Sequence, residues 1–246
     1  MQRIIMNQMN TNYIGCIYNL LYIQYNEIFG REEFFYFDIS YPVFYNVKNG
    51  YFQVDKKILD NLNKTVYSSV ETFRNGLYEE MAQYNKTASE NDLPKRVYQV
   101  NTTYDITFSK NHILSFVLYL TSLSTNEGPQ YEELYSFNID LLNGNQLSLK
   151  DLFNPGVDYI NILSNYINNK IAQTPKLFYP DTIVEIPDSQ AFYITDKGIV
   201  LFFAEDEISP SEAGIQKFLI SFEEFGQYIN PRFYCNPQNV IRRRKK

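Results

Sequence analysis

The sequence predicts an α+β fold, an antiparallel sheet packed by one long and one shorter helix, with a short C-terminal helix. Three observations carry that expectation. Aromatic residues make up 17% of the chain, 19 Phe and 22 Tyr with no Trp, against only 10 Gly and 10 Pro, and aromatic side chains favour pleated, half-buried surfaces. Apolar residues alternate with period two in several segments and recur every three or four residues in others. Strand and helix signals also come in blocks rather than in strict alternation, which is the order of an α+β chain.

Taken in order, Asn12 to Glu27 and Glu32 to Phe44 read as a hairpin joined at "FGRE". Phe35, Phe37, Ile39 and Tyr41 share one face of the second arm, and Pro42 ends or edges it. Ile58, Leu62, Val66, Val70, Phe73, Leu77, Met81 and Tyr84 then recur at helical spacing. They predict a long helix from Asp55, its N-cap, to about Lys86. "TASENDLPK" is a loop. Val97 to Phe108 and His112 to Ser124 read as strands, the second apolar on both faces and therefore central.

"YSFNIDLLNGNQLSLKDLF", Tyr135 to Phe153, alternates up to Asn143-Gly144, a tight hairpin turn. Alternation resumes at Leu147 and Leu149 before the chain bends into a helix. That helix has the buried stripe Ile160, Leu163, Ile167 and Ile171 and ends before Pro175. Ala191 to Thr195 and Ile199 to Ala204 are strands joined at "DKG", and Ile215 to Ile220 is the last strand. Ser221 and Glu224 form a capping box opening a short helix with Phe222, Phe225 and Ile229 inward. No repeat or linker divides the chain. Residues 1–95 form an N-terminal region of hairpin plus long helix, 96–232 a C-terminal domain and 233–246 a basic tail. The seam falls near Leu93, and its two sides are expected to share a sheet as one compact unit.

The 246 residues are 44% hydrophobic, ample for a packed core. A formal net charge of −6 argues against nucleic acid and anionic membrane as partners, and it would steer a basic partner in. The closing "VIRRRKK" reads as a frayed tail. Tyr is a frequent interface residue, although AT-rich coding DNA is the preferred explanation of its abundance. Cys16 and Cys235 define neither a zinc site nor a disulfide framework, and the expectation is two separate thiols. "YIGCIYNLLYI" reads as a strand rather than a weak leader, because Asn19 interrupts it and no small-residue cleavage pattern follows. It is too short and polar to span a bilayer. A cytoplasmic or spore-associated protein is expected, with the cell surface as the alternative.

Catalytic chemistry finds few reagents. His112 is the only histidine, and it reads as a structural residue at a strand end rather than a general base. No Cys/His cluster is present for zinc or iron, and no catalytic residue, metal site or cofactor is expected. "AEDEISPSEAG" gathers Glu205, Asp206, Glu207 and Glu212 around a loop without calcium-loop spacing, and acidic loops are usually just solvated. No glycine-rich phosphate loop occurs. The chain is expected not to be an enzyme.

"YSFNIDLLNGNQLSLKDLF", a helix, and then "FYITDKGIVLFFAEDEISPSEAGIQKFLIS" resemble the extracellular domain of the RsiV-type lysozyme-binding family. That domain also occurs in front of a peptidoglycan deacetylase and in stand-alone proteins of spore-forming Firmicutes. The resemblance covers roughly Tyr98 to Asn230. The long-helix segment, with "FDISYPVF" upstream, resembles its usual companion domain. Where family members commonly place Gly-Gly-Ala-His, this chain has "STNEGPQYEEL", keeping Gly128. The resemblance implies a non-catalytic binding domain whose partner is a basic protein such as lysozyme, or peptidoglycan or another glycan. The expected contact residues are Glu127, Gly128 and Tyr131 in one loop and Glu205, Glu207, Ser209, Pro210 and Gly214 in the other. The alternative is a leaderless structural protein of the spore or cell envelope.

Overall fold

The computed structural model describes residues 16–234. Five strands form the larger sheet: β1 (Leu21–Arg31), β2 (Phe35–Asn46), β3 (Tyr98–Lys110), β4 (Ile113–Ser124) and β5 (Tyr131–Asp140), in spatial order β1-β2-β3-β4-β5. Between β2 and β3 the chain runs through α1 (Lys56–Glu90). Asp55 caps α1 by accepting the Lys57 N–H at 2.7 Å, satisfying a donor that the first turn leaves free. The buried stripe Leu59, Leu62, Val66, Val70, Phe73, Leu77 and Met81 continues through Asn85 and Ala88, so the helix outruns the predicted end. Asn85 explains the extension. Its side-chain amide exchanges two hydrogen bonds with the backbone of Arg96, at 2.8 and 2.7 Å.

A helix returning the chain to the same end of a sheet makes the next strand parallel. β2 and β3 accordingly pair in parallel over Phe35–Ile39, while the other neighbours are antiparallel. The expected all-antiparallel sheet is corrected at that one pair. The predicted sharing of a sheet across the seam is realised by it.

β4 is covered on both sides, as its sequence requires. Leu114, Phe116, Leu118 and Leu120 pack in the α1 core, where the Phe116 ring lies 5.0 Å from that of Phe44 and stacks 4.7 Å from that of Phe137. Burying each such ring contributes about 1.5–3 kcal/mol. Ile113 and Val117 face the other way, toward a second, three-stranded antiparallel sheet: β6 (Phe192–Ile194), β7 (Gly198–Phe203) and β8 (Gln216–Ser221). α2 (Tyr159–Gln173) lays Leu163, Ile167 and Ile171 into the same core. The short α3 (Phe222–Phe225) is capped by Ser221, which accepts the Glu224 N–H at 3.3 Å. The sheets are joined by buried polar bonds. Asn138 donates to the Phe192 carbonyl at 2.7 Å, and the Ile194 N–H donates to the Ser115 hydroxyl at 2.9 Å.

Four expectations need correction. His112 does not open a strand; Asn111 and His112, both with positive φ (53° and 62°), are the two turn residues between β3 and β4, the backbone of a tight hairpin. Asn143-Gly144 does not return a full strand, since only Gln146 bridges back to Ile139 before a 3-10 turn at Leu149–Leu152. Phe233, assigned to the tail, is buried in the second core. Cys16 is disulfide-bonded rather than a separate thiol; Cys235 and the rest of the basic tail lie outside the described residues. Among the described residues no helix is long and apolar enough to cross a membrane.

Candidate binding surface

The β4–β5 loop is fastened to the connection between α1 and β3. Thr125 exchanges hydrogen bonds with Val97, and Asn126 donates to the Lys95 carbonyl at 2.7 Å. Asn126 and Glu127 both have positive φ. At Gly128 an added Cβ would lie 2.1 Å from the Ser124 hydroxyl and 2.8 Å from the Arg96 side chain, so glycine is needed for close approach. Glu127 is exposed. Tyr131 turns toward α1 instead, its hydroxyl donating to Glu80 at 3.0 Å alongside the Tyr98 hydroxyl at 2.7 Å.

Two acids of the second loop are already engaged within the protein. Glu207 accepts the Ala204 N–H at 2.7 Å, and Asp206 accepts the Tyr179 hydroxyl. Gly214 adopts φ 65°, a conformation that excludes most other residues. Pro210 is exposed, but Ser209 is fully buried, with a hydroxyl that has no hydrogen-bond partner. Ser209 therefore offers nothing to a partner at the surface.

Glu205, by contrast with Asp206 and Glu207, meets the other loop. Partial burial, the Glu132 carboxylate and Asp206 together push its pKa up, while the Glu132 backbone N–H pointing at it pulls the other way. Gly214 is also close, since a Cβ there would lie 3.9 Å from a Glu132 carboxylate oxygen. Glu132 thus joins the two predicted loops, although the motif did not single it out. Only the register of β5 reveals it.

The groups able to do acid–base chemistry are held elsewhere. The His112 ring packs 4.1 Å from Phe52 with its Nδ1 buried and unpartnered. Nearby Asp140 forms a two-pronged ion pair with Arg232, both contacts at 2.7 Å. Burial pushes the Asp140 carboxyl up, but the Arg232 bonds, the Leu142 N–H and the charge of Arg232 outweigh it and hold its pKa below 3.8. Asp140 and Arg232 border a polar recess of about 520 Å³ lined also by Asn143, Gln146 and Asp151. Among the described residues no three His, Cys, Asp or Glu side chains gather to hold a metal.

This is the arrangement that the comparisons reach. Residues 150–223 match the model of DUF3298, described as a protein of unknown function. Residues 29–122 match the model described as Deacetylase PdaC. No curated protein matches the chain. A solved DUF3298 family member from Bacteroides fragilis NCTC 9343 superimposes with a TM-score of 0.58 at 16% identity, over 86% of this chain and 95% of that one. One from Pseudomonas aeruginosa PAO1 gives 0.53 at 14% identity, over 88% and 96%. The fold is that of DUF3298 proteins. It spans both matched segments, and β3 and β4 of the first segment lie against the core that β6, β7 and β8 of the second help build.

Proposed function

We propose that this chain is a non-catalytic binding module whose partner is a cationic protein of the cell envelope, lysozyme-like in charge, engaged at the acidic surface where the two loops meet. The observation that carries the reading is the approach of Glu205 to Glu132. Burial and the neighbouring Glu132 carboxylate make ionised Glu205 a standing electrostatic cost, and a cation placed beside it relieves that cost. The net charge of the chain favours encounter with such a partner. The resemblance of Tyr135–Phe153 and Phe192–Ser221 to the RsiV-type lysozyme-binding family supports a binding role in the envelope, and peptidoglycan or another glycan is the second partner class on the same ground. The commitment of His112, Asp140 and Asp206 to structural contacts supports a role without catalysis.

The test is titration calorimetry against hen lysozyme and chitin-derived oligosaccharides at low and moderate salt. Binding of lysozyme that weakens with salt, and that falls by about tenfold or more when Glu132→Lys and Glu205→Lys are combined, is expected. No heat with either partner removes the reading.

A further inference from the structure

β5 is the outer strand of the larger sheet, and the structure fixes which of its backbone groups face outward. The Leu147 N–H donates to the Asn138 carbonyl at 2.7 Å, and the Asp140 N–H donates to the Asn145 carbonyl at 3.0 Å, both on the side away from β4. The β4–β5 register is unbroken from Ser122↔Tyr131 to Ile113↔Asp140. Outward-facing residues in an antiparallel pair alternate, so Ser136, Leu134 and Glu132 also point their N–H and C=O outward. The Glu132 N–H is directed at Glu205. Among the described residues, Leu134 and Ser136 have no main-chain partner on that side. The edge is thus closed at one end by Asn145–Leu147, bounded at the other by the Glu205 carboxylate, and open in the middle.

The open stretch has a wall. Asn61, Thr65, Ser68, Ser69 and Thr72 recur along one face of α1, and together with Lys64 and Tyr135 of β5 they line a groove of about 490 Å³. Asn61 and Thr65 also line an adjoining space of about 330 Å³ that reaches Ser136, Asn143 and Gln146. This stripe is almost uncharged and short-chained. The hydroxyls of Thr65 and Ser69 are turned back onto the Asn61 and Thr65 carbonyls, at 2.9 and 3.0 Å, so the wall presents small, satisfied side chains. A strand added outside β5 would run roughly 4.8 Å from it.

From this we infer that the gap between α1 and β5 is a slot for an extended polypeptide segment of a partner protein, roughly five residues long, bound by strand addition to Leu134 and Ser136. The bounded ends set the length. Unpaired N–H and C=O groups at a two-residue pitch match a peptide main chain. The partner's alternate side chains meet the small α1 residues, while a lysine or arginine at the Glu132 end meets Glu132 and Glu205. A second copy of this chain does not fit, because its own β5 would bring another α1 and two more bounded ends into the same space. The inference rests on the reading of the chain as a binding module and names the mode in which a protein partner is held.

The experiment follows backbone amides by NMR while the whole chain is titrated with a capped seven-residue peptide of alternating threonine and valine with a lysine at each end. An analogue methylated on alternate backbone nitrogens serves as control. In the free protein the Leu134 and Ser136 amides exchange quickly. With the plain peptide their exchange slows by about tenfold or more, and methylation weakens binding by at least about tenfold. Ser136→Pro removes an N–H that β4 does not use and blocks the edge, so it abolishes peptide binding while lysozyme binding at the loops persists. Protected Leu134 and Ser136 amides in the free protein, equal binding of the two peptides, or no peptide binding overturns the slot. Any of these leaves the lysozyme titration to judge the wider reading separately.

Discussion

The two edges of the larger sheet are built on different plans. β1 is an eleven-residue strand that carries aromatic rings in water on both faces: Phe29 is 78% exposed, Tyr22 58% and Tyr25 55%. Its protection is modest. Glu27 and Arg31 bring charge to the edge, and Phe37 lays its ring over Gly30, where a Cβ would lie 2.3 Å from the ring, a common way of covering a strand glycine. β5 instead is stopped at each end by the chain's own backbone or carboxylate, and a helix overhangs the interval. The lesson is one of length. A long, sticky edge is shielded by charge and twist, whereas a short gap between bounded ends selects what can enter.

The largest effect should come from loosening one end of β5. Arg232→Ala leaves the Asp140 carboxylate buried without its partner, and we expect a loss of about 3 kcal/mol in urea unfolding. Amide exchange should quicken at Asp140 and Leu147, with β1 unaffected. The pH dependence has a definite sign. Because the folded pKa of Asp140 lies below 3.8, its contribution is present above that value and is lost as pH falls through the folded pKa. Asp140→Asn should therefore flatten the acid limb of stability below about pH 4.

A smaller effect is expected at the other end. Glu205 has a raised pKa, so ionising it costs the folded state more than the unfolded one. That cost is absent below the ordinary glutamate range and fully present above the folded pKa. Glu205→Gln should raise the thermal midpoint at pH 7 and leave it unchanged at pH 4; a fall at pH 7 contradicts the repulsion with Glu132. The smallest change should follow Phe29→Lys on β1. Stability should move by less than about 0.5 kcal/mol, while sedimentation at high concentration should reveal reduced self-association. An unchanged profile would mean that the β1 edge is already protected by charge and twist alone.

Much of this was legible in the residues. The three-and-four spacing from Ile58 to Tyr84 announced α1, and the two-sided apolarity of His112–Ser124 announced a central strand covered on each side; that the covers are α1 and a separate three-stranded sheet was not read. The parallel pairing of β2 and β3 was not read, because it follows from where α1 delivers the chain rather than from either strand's pattern. Asn143-Gly144 misled because its turn chemistry is real while the continuation is captured by a 3-10 turn. Ser148 and Asp151 cap each other there, with the Ser148 N–H donating to Asp151 at 2.8 Å. At the candidate surface, the acidic letters of "AEDE" gave the loop but not the division of labour within it. Glu132 lies 73 positions from Glu205 in the sequence, and no local pattern encodes a meeting that depends on sheet register.

The turn at Asn111-His112 has a mechanical consequence. Its side chains and backbone hold Ile17 and Asn19 on one flank and Arg232 on the other, through bonds of 2.8 to 3.1 Å. Lys110 beside it reaches across to Asp196 at 2.6 Å. Tension applied through residue 17 and residue 232 would converge on this corner and load its bonds together. Because Arg232 also grips Asp140 and the His112 carbonyl accepts the Leu141 N–H at 2.8 Å, a pull on that corner would be passed to the end of β5.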